Sequence, residues 1–193
     1  MFKKVLAGAI ALTAFVSSQF NVCGASIPRS EISLGGITVN QSPDFMKKIY
    51  GEPNHEEPFP EYGIHATYGK GVKIDYNNLS NEFVNKYIMN IDVTANNGWK
   101  TPAGIGVGDN ISKALNLYGE PDYKKSNSIK TFYAYYPDGY SENKSSYGLF
   151  IVFNTSSGKI LRMYLDGPGI YRMDEPVAVK DRPYRNYYDN FLK

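Results

Sequence analysis

Residues 36–54, GITVNQSPDFMKKIYGEPN, and residues 104–122, GIGVGDNISKALNLYGEPD, decide how this chain is read. Gly36 aligns with Gly104, Ile37 with Ile105 and Val39 with Val107. Tyr50-Gly51-Glu52-Pro53 recurs as Tyr118-Gly119-Glu120-Pro121. An offset of 68 residues holds across 19 positions without a gap. Self-similarity at a fixed offset signals a duplicated unit. Asn40 to Ser42 and Asp109 to Asn110 supply helix N-cap candidates, and Pro43 suits a first helical position. Phe45, Met46, Ile49 and Tyr50 follow at helical spacing, as do Ile111, Ala114, Leu115 and Tyr118. Gly51 and Gly119 sit where a helix ends in a left-handed residue, and Pro53 and Pro121 prevent continuation.

Strands follow each helix. The pattern predicts Gly63–Tyr68, Val72–Tyr76 and Lys86–Asn96, then Thr131–Tyr136, Tyr147–Asn154 and Lys159–Asp166. Gly69-Lys70-Gly71, Pro137-Asp138-Gly139 and Ser156-Ser157-Gly158 mark turns. The expected fold is α+β: two tandem repeats, each a short helix (or helical pair) packed on a roughly three-stranded antiparallel sheet. The expected boundaries are 1–25, a signal peptide; 26–35, a lead-in; 36–98 and 99–167, the repeats; and 168–193, a C-terminal tail with a short helix near Tyr184–Leu192. Alternation predicts Tyr87, Met89, Ile91 and Val93 on one face and Ile88, Asn90, Asp92 and Thr94 on the other. It also predicts Leu161, Met163 and Leu165 under the helix, with Ile160, Arg162, Tyr164 and Asp166 outward.

The run Gly-Ile-x-Val-Gly, six residues, then Leu-x-x-Tyr-Gly-x-Pro resembles the SmpA/OmlA (BamE-like) envelope domain. The tandem arrangement is similar to that of the β-lactamase inhibitory protein family. The matching positions are Gly36, Ile37, Gly51 and Pro53, and Gly104, Ile105, Gly108, Gly119 and Pro121. Asn40 stands where the motif's second glycine is expected. The resemblance implies helices against one face of an antiparallel sheet and a non-catalytic, protein-binding or scaffold role at the cell envelope.

The N terminus points to export. Lys3 and Lys4 precede an apolar run from Val5 to Val16, and Ala25 ends a stretch of small residues. That pattern is a secretory signal cleaved after Ala25. The apolar run falls short of the roughly 20 residues that a membrane span needs. Cys23 admits lipidation, but Phe20, Asn21 and Val22 fit a lipid-attachment signal poorly, so no stable membrane anchor is expected unless Cys23 is lipidated. Cleavage also removes that single cysteine, leaving a mature chain without disulfides. Taking Lys3 and Lys4 from the 21 basic residues leaves 19, against 19 acidic ones. A neutral balance argues against nucleic acid, which demands clustered positive charge. The 17 tyrosines and 10 phenylalanines suit twisted, half-buried sheets.

No catalytic residue set stands out, and no metal or cofactor is expected. His55-Glu56-Glu57 offers fewer ligands than a supported transition-metal site needs. His65 reads as a structural strand histidine. No G-x-S-x-G elbow is present. Asp138, Gly139, Ser141, Glu142 and Asn143 do not match calcium-loop spacing. The glycines at 35–36 and 104–108 lack the βαβ context of a dinucleotide site.

If Tyr133 and Tyr135 point outward with Arg162 and Tyr164, those four form a Tyr/Arg binding patch of hot-spot composition. Burial against the other repeat or the tail is the alternative. The expected function is an exported, non-catalytic protein-binding or scaffold module of the cell envelope, periplasm or extracellular space. Its partner would be another protein. The alternatives are a proteinaceous inhibitor of a secreted enzyme and a polysaccharide hydrolase with unidentified carboxylates. Mass spectrometry of the exported protein is expected to find Ser26 at the N terminus; an intact Met1 would remove the signal peptide.

Overall fold

A computed structural model describes residues 27–59, 63–78, 86–139, 148–167 and 189–193. The expected signal peptide, Cys23, the 140–147 stretch and most of the tail lie outside the described residues. Among those described, no helix is long and apolar enough to cross a membrane.

Two helices form where the sequence caps them. In α1 (Pro43–Tyr50) the Ser42 hydroxyl accepts from the Asp44 amide, and Gly51 ends the helix at φ 78°. In α2 (Ile111–Tyr118) the Asn110 side chain accepts from the Ser112 amide, and Gly119 ends the helix at φ 75°. Both C-cap conformations favour glycine.

Eight strands follow in two sets: β1 (His55–Phe59), β2 (Gly63–Tyr68), β3 (Val72–Asn77) and β4 (Ile88–Val93) after α1, then β5 (Tyr123–Ser126), β6 (Lys130–Tyr135), β7 (Gly148–Asn154) and β8 (Ile160–Asp166) after α2. They form one antiparallel sheet in the order β1-β2-β3-β4-β8-β7-β6-β5. A last turn of helix, α3 (Asp189–Leu192), closes the described chain. The expectation of two tandem repeats, each a helix on a three-stranded sheet, is therefore overturned. There is one continuous eight-stranded sheet, joined where β4 pairs with β8 from Asn90 opposite Asp166 to Val93 opposite Met163.

Two strands were missed for one physical reason. β1 reads HEEPF and β5 reads YKKS, both short, charged and at the sheet edges. Edge strands tolerate proline and collect charge because half of their backbone faces no neighbour. The same composition reads as loop in a sequence.

The sheet buries both faces unequally. On the helix side, Met46 of α1 and Ile111, Ala114 and Tyr118 of α2 pack on Ile74, Ile91, Ile151, Met163 and Leu165 within one core. On the other side, Phe132, Ala134, Phe150, Val152 and Tyr164 form a smaller core under Phe191 of α3. Strand β6 is aromatic on both faces because both are covered.

The alternation expected for β4 and β8 breaks at their first residues. The register shifts between Asp75 and Tyr76, so Tyr76 pairs with Ile88 and Met89 is the extra residue. In β8 it shifts between Val152 and Phe153, so Phe153 pairs with Ile160 and Leu161 is extra. A β-bulge of this kind flips what precedes it to the other face. Ile160, expected outward, and Ile88, expected on the face opposite Ile91 and Val93, thus lie fully buried in the helix-side core, while Leu161 is exposed. Ile160→Ala and Ile88→Ala are expected to cost about 2–5 kcal/mol each in urea unfolding, and Leu161→Ala less than about 1 kcal/mol. Equal costs at positions 160 and 161 would contradict the bulge.

Candidate functional site

The four residues singled out as a patch do not share a face. Tyr133 and Tyr135 are buried in the helix-side core. The Tyr135 hydroxyl donates to the Gly119 carbonyl at 3.2 Å, and the ring meets Tyr118 edge-on. Tyr164 lies in the opposite core, stacked near Phe150 and edge-on to Phe191. Arg162 is on that side too, held by two hydrogen bonds to Asp92 at 2.7 and 2.8 Å and lying over the Phe191 ring. Strand alternation separates odd from even positions here, so Tyr133 and Arg162 cannot cooperate on one surface.

The histidines also find structural settings. His55 lies on β1, not in a loop, with Nε2 3.6 Å from Glu57 at an exposed edge. Glu56 points the other way, accepting from the Tyr76 hydroxyl and pairing with Lys47. The His55-Glu56-Glu57 run is thus split between two faces. His65 Nδ1 stands 2.5 Å from Asp75 Oδ1 across the β2–β3 pair. Among the described residues, no three His, Cys, Asp or Glu side chains are grouped to hold a metal.

A cleft of about 340 Å³ opens where the end of α1 meets the β2–β3 turn and the segment leading to residue 100. Its aromatic wall is Tyr50 stacked on Trp99, ring centroids 4.6 Å apart. Trp99 is 8% exposed and buried beneath; Tyr50 is 39% exposed. Three contacts fix the Tyr50 ring: the stack, a 2.6 Å hydrogen bond from its hydroxyl to the Gly35 carbonyl, and the α1 backbone. Gly35 is required there. At φ 61°, a Cβ would stand 2.7 Å from the Tyr50 hydroxyl and 2.9 Å from Trp99. Burial pushes the Tyr50 hydroxyl's pKa up.

Tyr68 and Val72 line the cleft from within the sheet, and Glu52, Asn54, Lys70 and Asn97 stand around it. The polar groups are anchored. Asn54 Oδ1 accepts from the Gly69 amide, and Asn97 bridges the Lys70 carbonyl and the Trp99 amide. Glu52 pairs with Lys47 at 2.9 Å.

Tyr68 is the unusual member. Only 6% of it is exposed, and among the described residues its hydroxyl has no hydrogen-bond partner. Burial, more than the nearby Glu56 and Glu52, pushes its pKa up to about 12. Its counterpart in the other half is Tyr135. Asn54 and Asp122, aligned at the 68-residue offset, each accept from the amide just after that tyrosine, Gly69 in one case and Tyr136 in the other. Tyr135 is satisfied by the Gly119 carbonyl; Tyr68 is not. An unpaired buried hydroxyl costs about 1–3 kcal/mol.

Sequence reasoning missed Tyr50, Tyr68 and Trp99 as a group. One signal pointed there: Trp99 is the single tryptophan and sits in a polar, glycine-containing connection, where no core position calls for it.

No protein-family model matches the chain, and no curated protein matches its sequence. Among solved structures, it is similar to a cysteine-rich secretory protein from Staphylococcus aureus, at 12% identity and a TM-score of 0.47, covering 75% of this chain and 49% of that one. It is also similar to an extracellular protein containing an SCP domain from Bacillus anthracis, at 8% identity and a TM-score of 0.41, covering 86% of this chain and 50% of that one. The chain spans about half the length of each.

Tyr68→Phe is expected to leave stability unchanged or raise it, because it removes a polar atom that has no partner. Tyr135→Phe is expected to cost about 1 kcal/mol, because it strands the Gly119 carbonyl. Thermal unfolding of the two variants checks the contrast; equal losses would mean that Tyr68 has a partner in solution.

Proposed function

We propose that this protein is an exported, non-catalytic module that binds another protein at the cell envelope or outside the cell. The observation that carries the reading is on α1. Of its four helically spaced apolar residues, Met46 is buried, but Phe45 is 45% and Ile49 52% exposed. They lie four residues apart, so they form one ridge along the helix. Burying such a ridge is worth about 1.5–3 kcal/mol per side chain, which favours a partner that covers it.

Neither Glu56 nor Asp109 is tuned as a proton donor. Hydrogen bonding from the Tyr76 hydroxyl and from Lys47 lowers the Glu56 pKa. Asp109 is also lowered: desolvation by burial opposes ionisation, but hydrogen bonds from Lys113 and the Gly106 amide together outweigh it. Both shifts favour the ionised form. A proton-donating carboxyl needs a shift in the opposite direction. The signal-peptide pattern at residues 1–25 supports export.

The test is cross-linking of the tagged protein in the producing cells, followed by identification of the linked proteins. One dominant protein partner, lost in the Phe45→Ser, Ile49→Ser double variant while the melting curve holds, is the expected result. Capture that the double variant leaves unchanged would remove the α1 ridge, and the absence of any protein partner would remove the function.

A further inference from the structure

We infer that the cleft beside Tyr50 and Trp99 is a saccharide site, taking a neutral sugar unit of a glycan chain. The inference goes beyond protein binding and concerns a different surface, since neither Phe45 nor Ile49 lines the cleft.

Three independent observations converge on it. First, the cleft has the size of a small-ligand site, which typically begins near about 300 Å³. Second, its exposed aromatic ring is held rigid. Tyr50 is pinned by Trp99 behind it and by Gly35 at its hydroxyl, so binding would lose little side-chain freedom. Third, polar side chains of the rim are already held in place: Asn54 Oδ1 accepts from the Gly69 amide, and Asn97 Nδ2 donates to the Lys70 carbonyl.

The chemistry of the lining selects the ligand class. An aromatic ring edged by polar groups matches a pyranose, whose C–H face is apolar and whose rim is hydroxylated. Asn54 has committed its carbonyl oxygen to Gly69, which leaves its amide N–H groups as donors. Lys70 adds a donor and Glu52 an acceptor. Glu52 is already paired with Lys47 at 2.9 Å, so it presents no uncompensated negative charge to a ligand. A ligand with many hydroxyls can donate and accept at once, which such a mixed rim requires.

The molecule provides its own reporter. Trp99 is its single tryptophan and lies in the wall of the cleft, so its fluorescence reads this site alone. Purified protein is titrated with cellohexaose, chitohexaose and maltohexaose, with a tri-galacturonate as the charged control. A saturable change with at least one neutral oligosaccharide and none with the control is expected. Tyr50→Ala should weaken that binding by about tenfold or more, as expected when a stacking ring is lost. Tyr68→Phe, which removes a hydroxyl with no exposed surface, should leave it unchanged. No saturable response to any neutral oligosaccharide up to about 10 mM, a range that reaches weak millimolar affinities, would overturn the inference. So would binding that Tyr50→Ala leaves intact. The α1 ridge is untouched by these variants, so protein capture and glycan binding can fail separately.

Discussion

The β4–β8 ladder is the constraint on which the rest of this structure depends. Each half of the chain supplies a helix and four strands, and each would leave its last strand as an open edge. Pairing those two edges removes both and creates one sheet. The Asp92–Arg162 fork sits on that seam, linking the two strands 70 positions apart in sequence. A bidentate guanidinium–carboxylate pair has a fixed geometry, so it helps to specify register as well as to attract. Other cross-half contacts reinforce it. Glu31, from the lead-in, accepts from the Tyr118 hydroxyl and the Ala103 amide.

The bulges at the start of β4 and β8 follow from what those strands must do. Before the bulge, each strand also meets, on its other edge, the segment that enters the helix. Ile88 exchanges backbone hydrogen bonds with Asn40 and Gln41, and Ile160 does so with Gly108 and Asp109. Asn40 and Gly108 both hold positive φ, 65° and 94°. Asparagine is among the few residues other than glycine that reach this region readily. The apparent departure at Asn40 from the glycine in the motif is therefore a second solution to one backbone demand. The bulge then rotates Ile88 and Ile160 into the core beneath the helices, so turn, bulge and core are one device.

This explains what could be read from the sequence. Helix limits were legible because Ser42, Asn110, Gly51 and Gly119 act locally, within a few residues. Interior strands were legible because their alternation reports burial. The edge strands β1 and β5 were not, because Pro58, Lys124 and Lys125 look like loop. The seam was not, because no local pattern states which strand will meet which. The bulges were hidden for a related reason: strict alternation continues through Tyr87–Val93 on paper, and only the partner strand reveals the extra residue. The supposed Tyr/Arg patch failed on register, since Tyr133 and Arg162 occupy opposite faces.

The two halves are most informative where they differ. Tyr118 is buried, with its hydroxyl shared between Thr101 and Glu31, and Tyr135 packs edge-on against it. Around α1 the corresponding Tyr50 turns to stack on Trp99 and to bond Gly35, and the Tyr68 hydroxyl is left without a partner. Unsatisfied buried polar groups are rare in folded proteins, and the Tyr68 hydroxyl, with no exposed surface, carries that cost inside the fold. Phe45 is exposed on α1 where the aligned residue of α2 is Lys113, while Leu117, aligned with Ile49, is exposed as well, so the two helices differ at one position of the apolar ridge.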